Sequence, residues 1–463
     1  MRPSAAHLFD YRLFGNLYAT EEVRLIFDEA STLKTWLEVE AALAESQAEF
    51  DIIPAWAAAM IRDAITRADL PIEKLAQKTT ETAHPIIAIL RELERLAGPA
   101  GRYIHFGATT QDITDTALVL QLKLVYHIVT RDMTALINRL ADLAEAHGNT
   151  MMMGRTHGIQ ALPITLGFKL SVWIGELLRH LERFDQSTTR VLVGQLGGGV
   201  GTMAGYGPNA VELRRRMMER LGLHVPTIAW HAARDNLTEF VLIASALGGT
   251  LGKMGNEIAA LQATEIGELA EPTTAQKVGS STMPHKQNPF YSETVVALAS
   301  LLQGLASPAL GALRTRFERD WTTWGAEMYF IPEAACLLAA QLQAMRLVLD
   351  GLVVCAEGMY RNMERLSGIH CSEALMLRLA EPLGRDRAHE LVSHLANRAY
   401  REGKDFRGLA AAEPAIAHVL DERQIHEALQ PDGYLNAAQA EAERMVQRAR
   451  RALSARASIK GNG

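Results

Sequence analysis

The sequence predicts an all-α protein of three helical domains, with the longest helices in the central one. Proline is absent between residues 99 and 163, 163 and 208, 226 and 272, and 332 and 382. Because a proline inside a helix costs roughly 3 kcal/mol, such gaps leave room for long helices. Apolar residues recur within these gaps at helical spacing, whereas alternating strand-like runs and two-residue hairpin turns are nearly absent.

The first domain, residues 1–110, is predicted to contain short helices. Pro54, Pro71, Pro85 and Pro99 interrupt this stretch at short intervals. One helix is expected over Thr32–Phe50, because its apolar residues share one broad helical face. These residues are Leu33, Trp36, Leu37, Leu43 and Phe50.

The second domain, residues 111–355, is predicted to carry the long helices, over Asp112–His147, Thr165–Thr189 and Asp235–Glu268. In the first of them the apolar residues follow helical spacing, and Gly148 after its end is a stop signal. Residues 356–463 are predicted to form a smaller helical cap that ends in a short basic tail.

Composition excludes several classes of protein. The 463 residues include 47 Lys and Arg against 53 Asp and Glu, a net charge of −6, which provides no basic surface for nucleic acid or an anionic membrane. Three widely spaced cysteines, Cys336, Cys355 and Cys371, indicate a reducing compartment. The N-terminus lacks an apolar signal segment, and apolar stretches such as Phe240–Gly249 are shorter than the ~20 residues of a membrane helix. We therefore expect a cytoplasmic protein without nucleic-acid or membrane partners.

Two motifs that could bind a cofactor do not fit their patterns. HELVSH places His389 and His394 five residues apart, so the two rings do not share the helical face that a zinc pair needs. The segment from Gly205 to Ala210 matches GxGxxA, but no strand precedes it and a proline interrupts it. No cofactor and no metal site are expected.

The most unusual segment, Gly279–Pro289, reads GSSTMPHKQNP and lies between two helical stretches. Clusters of glycine, serine, proline and asparagine are commonly solvated loops. Here, however, Lys286 and Asn288 offer a cation and amide donors that can hold a carboxylate, while a nearby serine hydroxyl acts on the substrate. Both interpretations stay open on these residues alone.

This segment resembles the GSSxMPxKxNP signature of the aspartase/fumarase superfamily. Residues 107–116, GATTQDITDT, and 154–158, GRTHG, resemble two further signature regions in the same order. Residues 384–392, GRDRAHELV, resemble the C-terminal region of the adenylosuccinate lyase branch. The resemblance covers nearly the whole chain. It implies a homotetramer with a 20-helix core, whose active sites are each shared by three subunits, and a small dicarboxylate substrate.

The first of these regions begins a predicted long helix, where Thr109 and Asp112 are spaced as a capping-box pair. A helix N-terminus also offers unpaired N–H groups to an anion, so capping and substrate binding can share the geometry. Thr109, Thr110 and Gln111 would add side-chain donors to a substrate carboxylate.

Histidines near two motifs are candidates for proton transfer. A lone histidine such as His157 is more often structural, but the resemblance implies that it is the general acid, with Thr156 binding substrate beside it. His84 resembles a second histidine of the adenylosuccinate lyases, although Pro85 replaces the aspartate that follows it there. The glycine-rich segment 197–204 can serve helix packing, and the resemblance suggests that it lines the substrate together with Gln195.

The implied reaction is an anti β-elimination, in which the proton beside a carboxylate is removed and the Cα–N or Cα–O bond then breaks. The resemblance makes Ser280 the base, with Ser281 and Met283 of the same signature binding substrate. Lys286, Asn288, Thr109 and Thr110 would stabilise the dianion. The loop 279–289 would close over the substrate.

Two branches of the superfamily remain possible. His157 within GRTHG resembles the carbon–nitrogen lyases, which release fumarate from N-substituted aspartates such as adenylosuccinate. GATTQDITDT, the glycine-rich segment and residues 318–333 look more like 3-carboxy-cis,cis-muconate cycloisomerase. Asp320–Phe330 contains no arginine, and Gln287 stands where both branches carry one, so a nucleotide phosphate lacks its usual partners. The carbon–nitrogen lyase is the preferred hypothesis, the cycloisomerase is the alternative, and a non-catalytic structural protein on this fold is disfavoured by the intact motifs.

Overall fold

The structure, a computed structural model, describes residues 6–84, 86–273, 282–283 and 285–461. Helices dominate these residues, and the strands within them are short. The all-α prediction is therefore confirmed.

The N-terminal helices are short except for one. Thr20 caps α2, and Asp28 caps α3 by accepting from Ser31 N (2.7 Å). Because Asp28 supplies this cap, α3 begins three residues before the predicted Thr32. The helices are α1 Gly15–Tyr18, α2 Glu21–Phe27, α3 Glu29–Glu49, α4 Ala55–Thr66, α5 Ile72–Thr82 and α6 Ile87–Ala97, with 3-10 turns at Leu8–Asp10 and Gly98–Tyr103.

The long helices follow, with shorter helices between them. In chain order they are α7 Thr110–Ala146, α8 Leu166–Val191, α9 Ala210–Leu221, α10 Asp235–Gln262, α11 Phe290–Gly304, α12 Ala306–Ala312 and α13 Trp321–Asp350, with a 3-10 turn at Ala204–Asn209. Three of them match the predicted long helices, but α10 ends six residues before the predicted Glu268. The chain turns there, since Gly267 takes a positive φ of 60° and Glu268 N bonds Leu261 O. Pro332 lies inside α13, although proline was expected to separate helices.

The C-terminal helices enclose a small apolar core of their own. Leu375, Leu379, Val392, Leu395 and Phe406 are among its buried residues. The helices are α14 Ala356–Glu364, α15 Ser372–Leu383, α16 Arg385–Glu402, α17 Phe406–Ala412, α18 Pro414–Ala417, α19 Glu422–Ala428 and α20 Leu435–Gly461, with 3-10 turns at Ile369–Cys371 and Pro431–Tyr434.

A β-hairpin was missed by the sequence analysis. β1 (Met151–Thr156) pairs antiparallel with β2 (Ile159–Thr165), with Thr156 opposite Ile159. The two turn residues, His157 and Gly158, both have positive φ (54° and 77°), as a type I′ turn requires. A histidine followed by glycine was the available signal. A second, two-stranded sheet joins β3 (Leu269–Ala270) and β4 (Val353–Val354).

Contacts divide the chain into two compact units. The first unit comprises the described parts of residues 1–131, 180–249 and 297–343, and the second those of 132–179, 250–296 and 344–463. The division into domains 1–110, 111–355 and 356–463 follows chain order and stays a prediction.

One apolar stretch is longer than the sequence analysis recognised. Phe290–Ala312, which forms α11 and α12, has 23 residues and a mean hydropathy of 1.6, so its length and composition suffice to cross a membrane. A third of its most apolar stretch of 18 residues is buried within the chain. Core helices of proteins that never enter a membrane pass the same test.

A buried charge cluster lies within the first unit. Arg234 donates to Asp115 (2.7 and 3.0 Å) and to Glu327 (3.0 Å from Nε), and all three side chains are about 1% exposed. Burial raises the pKa of Glu327, against the opposing effect of Arg234. The cluster joins α7, the start of α10 and α13, so these elements share one set of buried hydrogen bonds.

Removing Arg234 is expected to destabilise the fold strongly. Arg234→Met leaves two buried carboxylates without a cation, which should lower the free energy of unfolding by about 3–5 kcal/mol. Arg190→Met is the control, because Arg190 forms an exposed pair with Glu239 that is worth about 0–1 kcal/mol. Urea unfolding measures both variants, and equal losses in the two would contradict the assignment.

Candidate active site

The first motif lies at the start of α7, where half of the predicted capping pair forms. Thr109 N donates to Asp112 Oδ2 (3.0 Å). The Thr109 hydroxyl, which was also expected to cap the helix, instead accepts a hydrogen bond from Arg319 Nη1. Since its oxygen is engaged with Arg319, this hydroxyl can direct its proton to another acceptor. Arg319 lies within residues 318–333, which resemble the cycloisomerase branch, but its contact with Thr109 was not predicted from the sequence.

Asp112 is the buried hub of this region. Its Oδ1 accepts from Gly197 N (2.7 Å) and from His231 Nε2 (2.8 Å), and its Oδ2 accepts from Gly198 N (2.9 Å) as well as from Thr109 N. The carboxylate thereby fixes the glycine-rich segment against the helix start. A Cβ at Gly197 would lie 2.7 Å from the His231 ring, so the close approach requires glycine there.

Two predicted substrate-binding amides are fully buried in this network. Gln111 Nε2 donates to His231 O (3.1 Å), and Gln195 Oε1 accepts from Trp230 N (3.2 Å). Gln195 Nε2 has no hydrogen-bond partner among the described residues. The geometry favours a positioning role for Gln111 over direct contact with a substrate carboxylate.

His84 lies close enough to His105 and Arg319 for their charges to affect its pKa. Burial lowers the pKa of His84, and the nearby charges of His105 and Arg319 lower it further, so its neutral form is favoured. Burial opposes protonation of His105 too, but there the hydrogen bond from Nδ1 to Glu40 (2.6 Å) and the charge of Glu40 prevail and raise its pKa. His105 and Glu40 were not identified from the sequence.

Thr156 and His157 belong to the second unit, at the exposed tip of the β1–β2 hairpin. The base of this tip is fixed by Arg155, whose guanidinium donates to both oxygens of the buried Glu268 (2.9 and 2.6 Å). Asn362 Nδ2 donates to the same carboxylate (2.8 Å). The hairpin therefore presents His157 on a turn with firm support.

The predicted catalytic loop is only partly described. Ser280 and Ser281 lie outside the described residues. Met283 and Lys286 are exposed and Asn288 is half-buried, all in the second unit. The carboxylate of Glu271 accepts from Tyr291 N (3.1 Å) and from Ser292 N, which joins the segment that precedes the loop to the start of α11.

The candidate residues thus form two sets. His84, Thr109, Thr110, Gln111 and Gln195 belong to the first unit, where Arg319 joins them. Thr156, His157, Met283, Lys286 and Asn288 belong to the second unit. The first set supplies hydroxyl and guanidinium donors for a carboxylate, and the second supplies an imidazole, an ammonium and an amide.

A helical fold with these donors and with the loop signature at residues 279–289 defines an enzyme of the lyase class. The chain belongs to the aspartase/fumarase superfamily. The family model described as lyase matches residues 17–304, and the model described as adenylosuccinate lyase C-terminus matches residues 368–448.

Named relatives resemble this chain over nearly its whole length. N-acetyl-S-(2-succino)cysteine lyase of Dickeya dadantii is 38% identical over 442 residues, 96% of this chain and 97% of its own. Adenylosuccinate lyase of Pyrococcus horikoshii is 40% identical over 445 residues, 96% and 98% of the two chains. The crystal structure of 3-carboxy-cis,cis-muconate lactonizing enzyme from Pseudomonas putida superposes with a TM-score of 0.88 at 34% identity, covering 95% of this chain and 99% of that one.

The His105–Glu40 pair is expected to make stability depend on pH. Because the pKa of His105 is raised in the folded state, its stabilisation is fully present below the ordinary histidine pKa of about 6.5 and is lost as pH rises through the higher folded value. Glu40→Gln should therefore destabilise the protein more at about pH 5.5 than at about pH 9, by about 1.5–3 kcal/mol at the lower pH.

Urea unfolding at both pH values provides the measurement. Glu38→Gln on the same helix is the matched control, because Glu38 pairs with Arg62, which keeps its charge throughout this range. A loss for Glu40→Gln that is equal at both pH values would contradict the assignment.

Proposed function

We propose that this protein catalyses the reversible anti β-elimination of an N-substituted aspartate or related amino-dicarboxylate, with cleavage of the C–N bond and release of fumarate. The observation that carries the proposal is the presentation of His157 at the tip of a firmly supported hairpin. An exposed imidazole suits the protonation of a departing amine, because imidazole is the side chain best able to exchange protons near neutral pH. A cycloisomerisation has no separate leaving group to protonate.

Proton abstraction is assigned to Ser280, and stabilisation of the resulting dianion to Lys286, Asn288, Thr109 and Thr110. The proton beside a carboxylate is very weakly acidic, so stabilisation of the dianion must be the largest contribution. Each preorganised donor can supply about 3–4 kcal/mol. The bond from Arg319 to Thr109 Oγ1 supports this role, because it fixes the hydroxyl as a donor.

A second candidate is elimination of a thiol from a succinyl thioether. It is favoured by the 38% identity with N-acetyl-S-(2-succino)cysteine lyase. The carbanion chemistry is the same in both reactions, since only the leaving atom differs. The likeness to the lactonizing enzyme keeps 3-carboxy-cis,cis-muconate cycloisomerase as the alternative.

We further propose a homotetramer in the cytoplasm, with each active site shared by three subunits and a substrate that is a small dicarboxylate. Large apolar side chains exposed on four long helices support the assembly, because such side chains are suited to helix–helix contacts between chains. They are Leu124 on α7, Val172 on α8, Leu242 on α10 and Leu301 on α11, each between 37% and 55% exposed.

A panel of substrates is expected to identify the reaction. Fumarate should appear, by ultraviolet absorbance, from at least one of adenylosuccinate, argininosuccinate, other N-substituted aspartates and S-succinylcysteine. Ser280→Ala should abolish this release, whereas Ser393→Ala, on α16, should not change it. Fumarate release by Ser280→Ala at the wild-type rate would exclude Ser280 as the base, and consumption of carboxymuconate alone would establish the cycloisomerase.

His157→Asn is expected to slow the reaction by about 10²–10⁴-fold, and less so as the leaving amine becomes less basic, because a good leaving group needs no proton. Kinetics with a series of N-arylaspartates of different amine basicity measure this trend. His389→Asn, an exposed histidine on α16, is the control. A uniform loss across the series would indicate a structural role.

If chains share each site, subunits of Ser280→Ala and His157→Asn refolded together should regain part of the activity that each lacks.

A further inference from the structure

A cavity of about 540 Å³ lies within the first unit, among α3, α5, α7 and α13. Its wall is largely apolar and includes two indole rings. Trp36, Ile72, Leu75, Leu118, Trp324 and Met328 contribute to it. A volume of this size suits a drug-sized organic group. None of the reaction steps assigned above involves a residue that lines the cavity.

The cavity continues the helix face that carries Thr110. Thr114, Leu118 and Gln121 line it from α7 at spacings of four and three residues, and Thr110 lies one further turn towards the helix start. Thr114 Oγ1 donates to Thr110 O (3.2 Å), so the wall begins one turn from the candidate carboxylate-binding residues. From Thr114 to Gln121 the wall extends about 10 Å.

Candidate site residues beside α13 and α5 lie at the same end of the cavity as Thr110. On α13, Trp324 and Met328 line the cavity shortly after Arg319, which binds Thr109. On α5, Thr79 lines it five residues before His84. Arg319 precedes α13 and His84 follows α5. Because Arg319 binds Thr109 and its charge acts on His84, these residues lie together beyond one end of the cavity.

On α3 the same order holds. Trp36 lines the cavity one turn before Glu40, which binds His105. One end of the cavity thus lies about one helical turn from the residues that would hold the reacting part of the substrate.

The charge of the wall excludes a phosphate. Glu29, Asp115 and Glu327 line the cavity, and its lining among the described residues includes no lysine, arginine or histidine. Arg234 lies behind the wall and is already bound by both Asp115 and Glu327. An anion would therefore meet carboxylates without a free cation, whereas indole rings favour a flat apolar group.

We propose, on the basis of the proposed function, that this cavity is the subsite for the leaving group, and that it takes a flat or bulky apolar amine or thiol that carries no phosphate. The succinyl part would lie at the Thr109–Thr110 end, with the leaving group extending along α7 towards Gln121.

A matched pair of substrates tests this subsite. With fumarate, succinyladenosine releases adenosine and adenylosuccinate releases AMP, so the two leaving groups differ only in the 5′-phosphate. We expect kcat/KM to be at least about tenfold higher for succinyladenosine, which is the effect of an unfavourable contact of 1.4 kcal/mol. Met328→Arg should narrow or reverse this ratio by adding a cation to the wall. Ala326→Arg, exposed on the same helix outside the cavity, should leave it unchanged.

A binding measurement tests the cavity without requiring the enzyme to turn over a substrate. N-phenyl-1-naphthylamine, an uncharged apolar probe, should bind the wild type and Ala326→Arg with enhanced fluorescence, and bind Met328→Arg at least about tenfold more weakly. Preference for adenylosuccinate, or equal probe binding by both variants, would overturn the subsite while leaving fumarate release established. Probe binding without fumarate release from any substrate would support the cavity and remove the proposed function.

Discussion

The buried carboxylate of Asp112 is the constraint on which the first half of the candidate site depends. Its two oxygens accept from the backbone of Thr109, Gly197 and Gly198 and from the ring of His231. One side chain therefore sets the start of the longest helix, the path of the glycine-rich segment and the orientation of an imidazole. Four hydrogen bonds to one buried charge form a unit whose parts cannot shift independently.

In the second unit, a buried carboxylate likewise fixes the backbone of the hairpin, here through an ion pair. Glu268 is completely buried, yet its charge is satisfied by Arg155 and Asn362. Because Arg155 lies two residues before His157, this ion pair fixes the strand that leads into the turn. In both sets, candidate side chains thus lie at or near the ends of regular elements, and buried carboxylates fix the backbone beside them.

The long helices could be predicted from the sequence because proline spacing and apolar periodicity are local properties of the chain. Capping by Asp28 and the turn at Gly267 moved helix ends by several residues, since these boundaries depend on single hydrogen bonds and backbone angles. The β1–β2 hairpin was missed because its strands do not alternate clearly between polar and apolar residues.

For the candidate site, too, contiguous motifs could be predicted from the sequence, whereas contacts between distant residues could not. The motifs around Thr109, His157 and Lys286 could be found because each is contiguous in the sequence. The partners Arg319, His105 and Glu268 could not, because they lie between 65 and 210 residues from the groups they bind. Sequence spacing carries no information about such pairs.

Pro332 has a consequence for the chemistry of the α13 wall. Proline has no backbone N–H, so the carbonyl oxygen of Met328, four residues earlier, lacks the amide that a continuous helix would supply. Both residues border the same cavity. The α13 wall of the cavity therefore lacks one of the backbone hydrogen bonds that a regular helix would have.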